Sequence, residues 1–104
     1  MIELLKSLFG LGPKVNYAEL VKGGAIILDV RTKGEYSGGH IRGSVNIPVD
    51  SLSNNTGRLS DKNKPIITCC ASGMRSGAAK SILKSKGYTQ VYNGGSWISL
   101  QNKI

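Results

Sequence analysis

Two adjacent thiols, Cys69 and Cys70, stand where an apolar run gives way to small residues: Ile66-Ile67-Thr68-Cys69-Cys70-Ala71-Ser72-Gly73-Met74-Arg75-Ser76. A strand that feeds a short loop opening a helix turns successive backbone N–H groups into one cavity, and the helix N-terminus adds partial positive charge there. A thiol in that cavity ionises readily, because its thiolate is the anion the cavity favours. Gly73 removes a side chain where the loop must curl, and Arg75 can close the ring with a fixed charge. The expected chemistry is nucleophilic attack by Cys70, with Ala71, Ser72, Gly73, Met74 and Arg75 as its anion-binding loop. Arg75 has two roles open to it, anion ligand and salt-bridge partner of Glu35 or Asp29, and a mixture of the two is expected. Strand alternation sends Cys69 to the opposite face, where a packed core thiol is expected.

The elements that must hold this loop alternate between strand and helix patterns from about residue 16 to the end, which argues for an α/β domain. Asn16 can cap a short helix with Glu19 at its third position, stopped by Gly23 and Gly24. Strands are expected over 25–30, 45–47 and 65–69, with 50–63 mostly loop or a short turn. Residues 76–86 place Ala78, Ala79, Ile82 and Leu83 on one helix face and Lys80 and Lys84 on the other, with Gly87 as the stop. Val91 and Tyr92 suggest a last strand, and Gly94 and Gly95 a turn into a short helix around Trp97. Strand, helix, strand in this rhythm implies a largely parallel central sheet flanked by helices on both faces.

At Cys70-Ala71-Ser72-Gly73-Met74-Arg75 the chain resembles the rhodanese-like sulfurtransferases, whose active-site loop is Cys-x-x-Gly-x-Arg. The stretch Asp29-Val30-Arg31, Glu35-Tyr36, Gly39-His40-Ile41, Gly43-Ser44 and Asn46-Ile47-Pro48 is similar to the family signature ahead of that loop. The resemblance covers roughly residues 16 to 100. It implies a single rhodanese-like domain in which Cys70 takes sulfur from a sulfane donor such as thiosulfate, holds it as a persulfide, and passes it to a thiol or cyanide. That is covalent catalysis in two half-reactions, and the N–H cradle that favours the thiolate also favours the anionic persulfide.

Other residues have blander readings. His40, the only imidazole, falls in the stretch before the loop and is expected to be scaffold. Asp29 and Arg31 follow the first strand at the sheet edge where α/β folds place their sites. Asp29 is expected to organise a loop, and Arg31 is a candidate substrate contact. Two other functions compete. Counted from Cys69, the Cys-x5-Arg spacing is that of cysteine phosphatases and some arsenate reductases, but Gly73 then falls four residues after the nucleophile instead of three, and a six-residue ring from Cys70 fits tetrahedral phosphate poorly. The second alternative is a persulfide carrier or binding module that serves a partner protein across an exposed face.

The composition sets the frame. With 104 residues and 39% hydrophobic content the chain is one domain, 16–104, preceded by an extension over 1–15. Ile2, Leu4, Leu5, Leu8, Phe9 and Leu11, interrupted by Glu3 and Lys6, read as an amphipathic helix and not a secretory signal. No apolar run approaches the ~18 residues of a membrane span. Neighbouring cysteines cannot cross-link distant parts of a chain, so the fold stands without disulfides, which suits a reducing, cytoplasmic setting. No metal or cofactor is called for. The formal net charge is +8, and residues 62–104 carry seven basic side chains with no carboxylate. Stacking aromatics do not accompany these lysines, which argues against nucleic acid. The excess instead suits small sulfur anions or an acidic sulfur-carrying protein, and added salt should then slow turnover with thiosulfate.

Overall fold

The computed structural model describes residues 15–104. The N-terminal helix expected over 1–15 therefore lies outside the described residues, apart from Val15. Helix α1 spans Tyr17–Lys22, capped by the Asn16 side chain, which accepts from the Glu19 N–H, and closed at Gly23. Strand β1 (Ile26–Asp29) leads into α2 (Lys33–Ser37), and β2 (Val45–Asn46) into α3 (Val49–Leu52) and a 3₁₀ turn at Thr56–Arg58. Strand β3 (Ile66–Cys70), α4 (Met74–Ser85), β4 (Val91–Ser96) and α5 (Trp97–Gln101) complete the order.

The four strands are all parallel, in the order β2-β1-β3-β4. Side-chain alternation divides the core between the two faces of this sheet. Leu28, Val30, Ile66, Cys70 and Val91 meet Leu52 of α3 and Ala79 and Leu83 of α4 on one side. Ile27, Ile67 and Cys69 meet α1 and α5 through Leu20, Val21, Trp97 and Leu100 on the other. Both faces are thus covered, as a parallel sheet requires.

Several boundaries differ from the sequence expectation. Helix α2 was not foreseen. Its start is a capping box in which Thr32 accepts from the Glu35 N–H and Glu35 accepts from the Thr32 N–H, compact enough to sustain a five-residue helix. The polar stretch expected to be mostly loop or a short turn holds α3 and the 3₁₀ turn, anchored by buried Leu52 and Leu59. Ala78, placed on the apolar face of its helix, is exposed, whereas Ala79 and Leu83 are buried. Strand β4 runs on to Ser96, through the two glycines expected to turn. Gly94 packs so tightly that an added Cβ would lie 2.8 Å from Ile67 Cγ2 and 2.9 Å from the Thr68 carbonyl oxygen. The pairing of β3 with β4 slips between Thr68↔Asn93 and Cys70↔Ser96, which inserts one extra residue in β4 and kinks it beside the Cys70 loop.

Candidate active site

Cys70 is the last residue of β3, one position deeper into the strand than expected, and it is fully buried. Ala71 and Ser72 are exposed, and Gly73 ends the loop at φ +103°, a left-handed conformation that disfavours any side chain, before α4 begins at Met74. This reversal brings amides back onto the sulfur. The Gly73 N–H donates to Cys70 Sγ at 2.9 Å and the Ser76 N–H at 3.4 Å, with the Ser72 N–H contributing as well. The Ser76 hydroxyl lies 3.5 Å from Sγ. Burial pushes the Cys70 thiol up, but the Ser76 hydroxyl together with the N–H groups of Ser76, Gly73 and Ser72 outweighs it and holds the pKa below the ordinary thiol value.

Cys69 has the opposite fate. Its side chain packs in the core on the other face, and burial, reinforced by the Asp29 carboxylate, raises its pKa to about 12. The phosphatase spacing counted from Cys69 thus starts at a thiol buried on the face away from the loop. Below the loop, buried Thr68 donates to the Ser76 carbonyl at 2.9 Å and ties the first turn of α4 to β3.

Arg75 is in a salt bridge. Its guanidinium makes a bidentate pair with Glu35 at 2.7 and 3.0 Å, linking the loop to α2. Arg75, with the Thr32 backbone adding to it, lowers the Glu35 pKa to about 2. Arg31, the candidate substrate contact, is engaged with Asp29 and two backbone carbonyls. It is buried, its Nε and Nη2 grip the Asp29 carboxylate at 2.8–3.1 Å, Nη2 also donates to the Gly39 carbonyl, and Nη1 donates to that of Glu35. Its guanidinium carbon lies 4.7 Å from the centre of the Trp97 ring. Arg31 thus organises the 31–39 loop, and Asp29 organises it with Arg31, as expected of the carboxylate. His40 is scaffold too, stacked on Tyr36 at 3.8 Å with its Nδ1 bonded to the Tyr36 carbonyl oxygen at 2.8 Å.

Two further site residues went unread in the sequence, Ser76 and Asn93. Ser76 was legible in principle, since a side chain in the first turn of a helix lies over the turn before it. Asn93 comes from β4, and no local signal links it to Cys70. Among the described residues, no three His, Cys, Asp or Glu side chains gather as metal ligands, and no helix is long and apolar enough to cross a membrane.

The fold and site together are a buried cysteine in an N–H cradle at the C-terminal edge of a parallel α/β sheet. The model of the rhodanese-like domain matches residues 13–96, and the chain belongs to that family. It is 38% identical over 69 residues to the thiosulfate sulfurtransferase PspE of Escherichia coli, covering 65% of this chain and 66% of PspE. It has the same identity over 69 residues to the uncharacterized protein YqhL of Bacillus subtilis, covering 66% and 54%. The chain thus spans about half to two thirds of the length of these curated relatives. Among solved structures, an E. coli rhodanese with anions superposes at TM-score 0.69 with 34% identity, covering 73% of this chain and 91% of that one. The human single-domain sulfurtransferase TSTD1 superposes at 0.72 with 27% identity, covering 84% and 89%.

Proposed function

We propose that this protein is a sulfurtransferase that carries sulfane sulfur on Cys70, from thiosulfate or a persulfide donor to a thiol, cyanide or sulfur-carrier-protein acceptor, in a reducing compartment such as the cytoplasm. The observation that carries this reading is the convergence of the Gly73, Ser76 and Ser72 N–H groups on Cys70 Sγ. In the first half-reaction the thiolate attacks the outer sulfur of thiosulfate. A sulfur–sulfur bond forms to Cys70 as the bond to the sulfonate sulfur breaks, and sulfite departs with the electron pair. The negative charge moves from Sγ to the outer persulfide sulfur and stays within reach of the same amides. In the second half-reaction cyanide or a thiolate attacks that outer sulfur and Cys70 leaves as the thiolate. Sulfite is a stable leaving anion, so the step requires no general acid.

A partner-protein persulfide as the physiological donor has its own support. The loop's cation is paired with Glu35, and Met74 stands 84% exposed on the rim, an apolar contact for a protein surface. The test is intact mass after incubation with thiosulfate or with glutathione persulfide. A gain of about 32 Da, one sulfur, is expected, removed by cyanide, abolished in Cys70→Ser and kept in Cys69→Ser. Loss of the gain in Cys69→Ser, or hydrolysis of phosphate esters by the wild type, would replace this reading.

A further inference from the structure

The Ser76 hydroxyl has one hydrogen and three acceptors within reach. Asn93 Oδ1 lies 2.6 Å away, the Gly73 carbonyl oxygen 3.0 Å, and Cys70 Sγ 3.5 Å. The orientation of the Asn93 amide follows from its other partners. The Gly95 N–H donates to Oδ1 at 2.9 Å, so that atom must be an acceptor, and Nδ2 faces the Gly73 carbonyl at 3.4 Å. Two acceptors cannot share a bond unless one brings a hydrogen, so at 2.6 Å Ser76 is the donor to Asn93. While the thiol is protonated, the hydroxyl turns a lone pair toward Cys70 and accepts from it. To stabilise a thiolate it must swing its hydrogen from Asn93 onto sulfur.

We propose that Asn93 is a positioning residue which, by holding the Ser76 hydroxyl hydrogen, restrains the ionisation of Cys70 and so sets the reactivity of the nucleophile. The amides that face Sγ are fixed by the loop and by the first turn of α4, and the hydroxyl is the adjustable element. The extra residue in β4 between Asn93 and Ser96 kinks the strand where Asn93 meets the loop. Arriving substrate can shift the balance too, because Asn93 is itself exposed at the edge of the loop.

The charged groups around Cys70 leave this control to residue 93. Arg75 on α4 is answered by Glu35 of α2, and Arg31 by Asp29 of β1, with the neutral Cys69 thiol next along β3. Asp50 on α3 is exposed, Lys80 and Lys84 lie further along α4, and β4 and α5 carry no charged side chain.

The proposal rests on Cys70 as the nucleophile, and its readout is ionisation of that thiol, followed by the pH dependence of iodoacetamide alkylation and by thiolate ultraviolet absorbance. No sulfur donor enters the measurement, so failure of the sulfurtransferase reading and failure of this one are distinguishable. Asn93→Ala should raise the thiolate fraction at pH 7 about three- to tenfold, the effect of half to one pKa unit, and the alkylation rate about two- to threefold. Ser76→Ala should lower the rate, and adding Asn93→Ala to Ser76→Ala should change it less than twofold. Asn93→Asp, a stronger acceptor of similar shape, should slow alkylation, and by more when Ser76 is present than when it is alanine. An Asn93→Ala profile equal to wild type, or an effect of equal size without the Ser76 hydroxyl, overturns the proposal. Should Asn93→Ala fail to fold, the Asn93→Asp comparison in the two backgrounds decides it alone.

Discussion

The two neighbouring thiols should differ sharply in reactivity, and the size of the difference follows from where β3 points them. With its pKa raised to about 12, Cys69 is ionised at pH 7 in about one molecule in 10⁵. A thiol at the ordinary 9.0 is ionised in about one in 10², and Cys70 lies below that value. The thiolate populations therefore differ by at least about 10³. A more basic thiolate is also the better nucleophile, by about half a log unit per pKa unit, which returns about thirtyfold to Cys69. Ionisation alone leaves Cys70 ahead by at least about thirtyfold, before the burial of Cys69 slows it further. The assay is second-order alkylation by iodoacetamide between pH 5 and 10, followed by intact mass, on wild type, Cys69→Ser and Cys70→Ser. The wild-type and Cys69→Ser profiles should coincide, with an inflection below 9, and Cys70→Ser should react at least thirtyfold more slowly at pH 7. Comparable rates in the two variants, or an inflection at or above 9 for Cys70, would refute the cradle argument.

Three further outcomes test the scaffold. Arg31→Ala leaves the buried Asp29 carboxylate without its partner and should cost about 3–5 kcal/mol in urea unfolding. Unchanged stability with a raised KM for thiosulfate would restore Arg31 as a substrate ligand. Gly94→Ala drives a methyl group into Ile67, the Thr68 carbonyl and Leu100, and about 1–3 kcal/mol of overpacking should lower the melting temperature by about 5–20 °C, whereas a loss under about 2 °C would contradict the close approach. Because the Cys69 pKa is raised on folding from 9.0 to about 12, its contribution is complete below pH 9 and is lost as pH rises toward 12. Stability should fall about 1.4 kcal/mol more steeply per pH unit across that window in wild type than in Cys69→Ala, and parallel curves would contradict the buried position of the thiol.

The sequence carried the amide cradle around Cys70, because a strand ending in small residues with glycine three positions after a cysteine is a local pattern, and local geometry builds that cradle. It carried the parallel α/β architecture and the turn of Cys69 into the core on the opposite face for the same reason, since both follow from a period of two along each strand. It missed α2 because that helix rests on a reciprocal cap and not on an apolar stripe, and it shortened β4 because two adjacent glycines read as a turn. Only the tertiary structure showed the glycines held straight, where Ile67, Thr68 and Leu100 leave Gly94 no room for a side chain. The roles of the charged and polar residues were likewise decided in three dimensions. Arg31 and Arg75 could each have faced a substrate, and the partners that claim them, Asp29 and Glu35, are set by how the β1 loop folds over the sheet edge. Asn93 reaches Ser76 across 17 residues of chain, since a parallel crossover returns β4 to the side of β3. The sequence marked Cys70 as the proposed nucleophile, and the packing of separate strands decided which groups surround it, because hydrogen-bond partners distant in the chain leave no periodic signal within it.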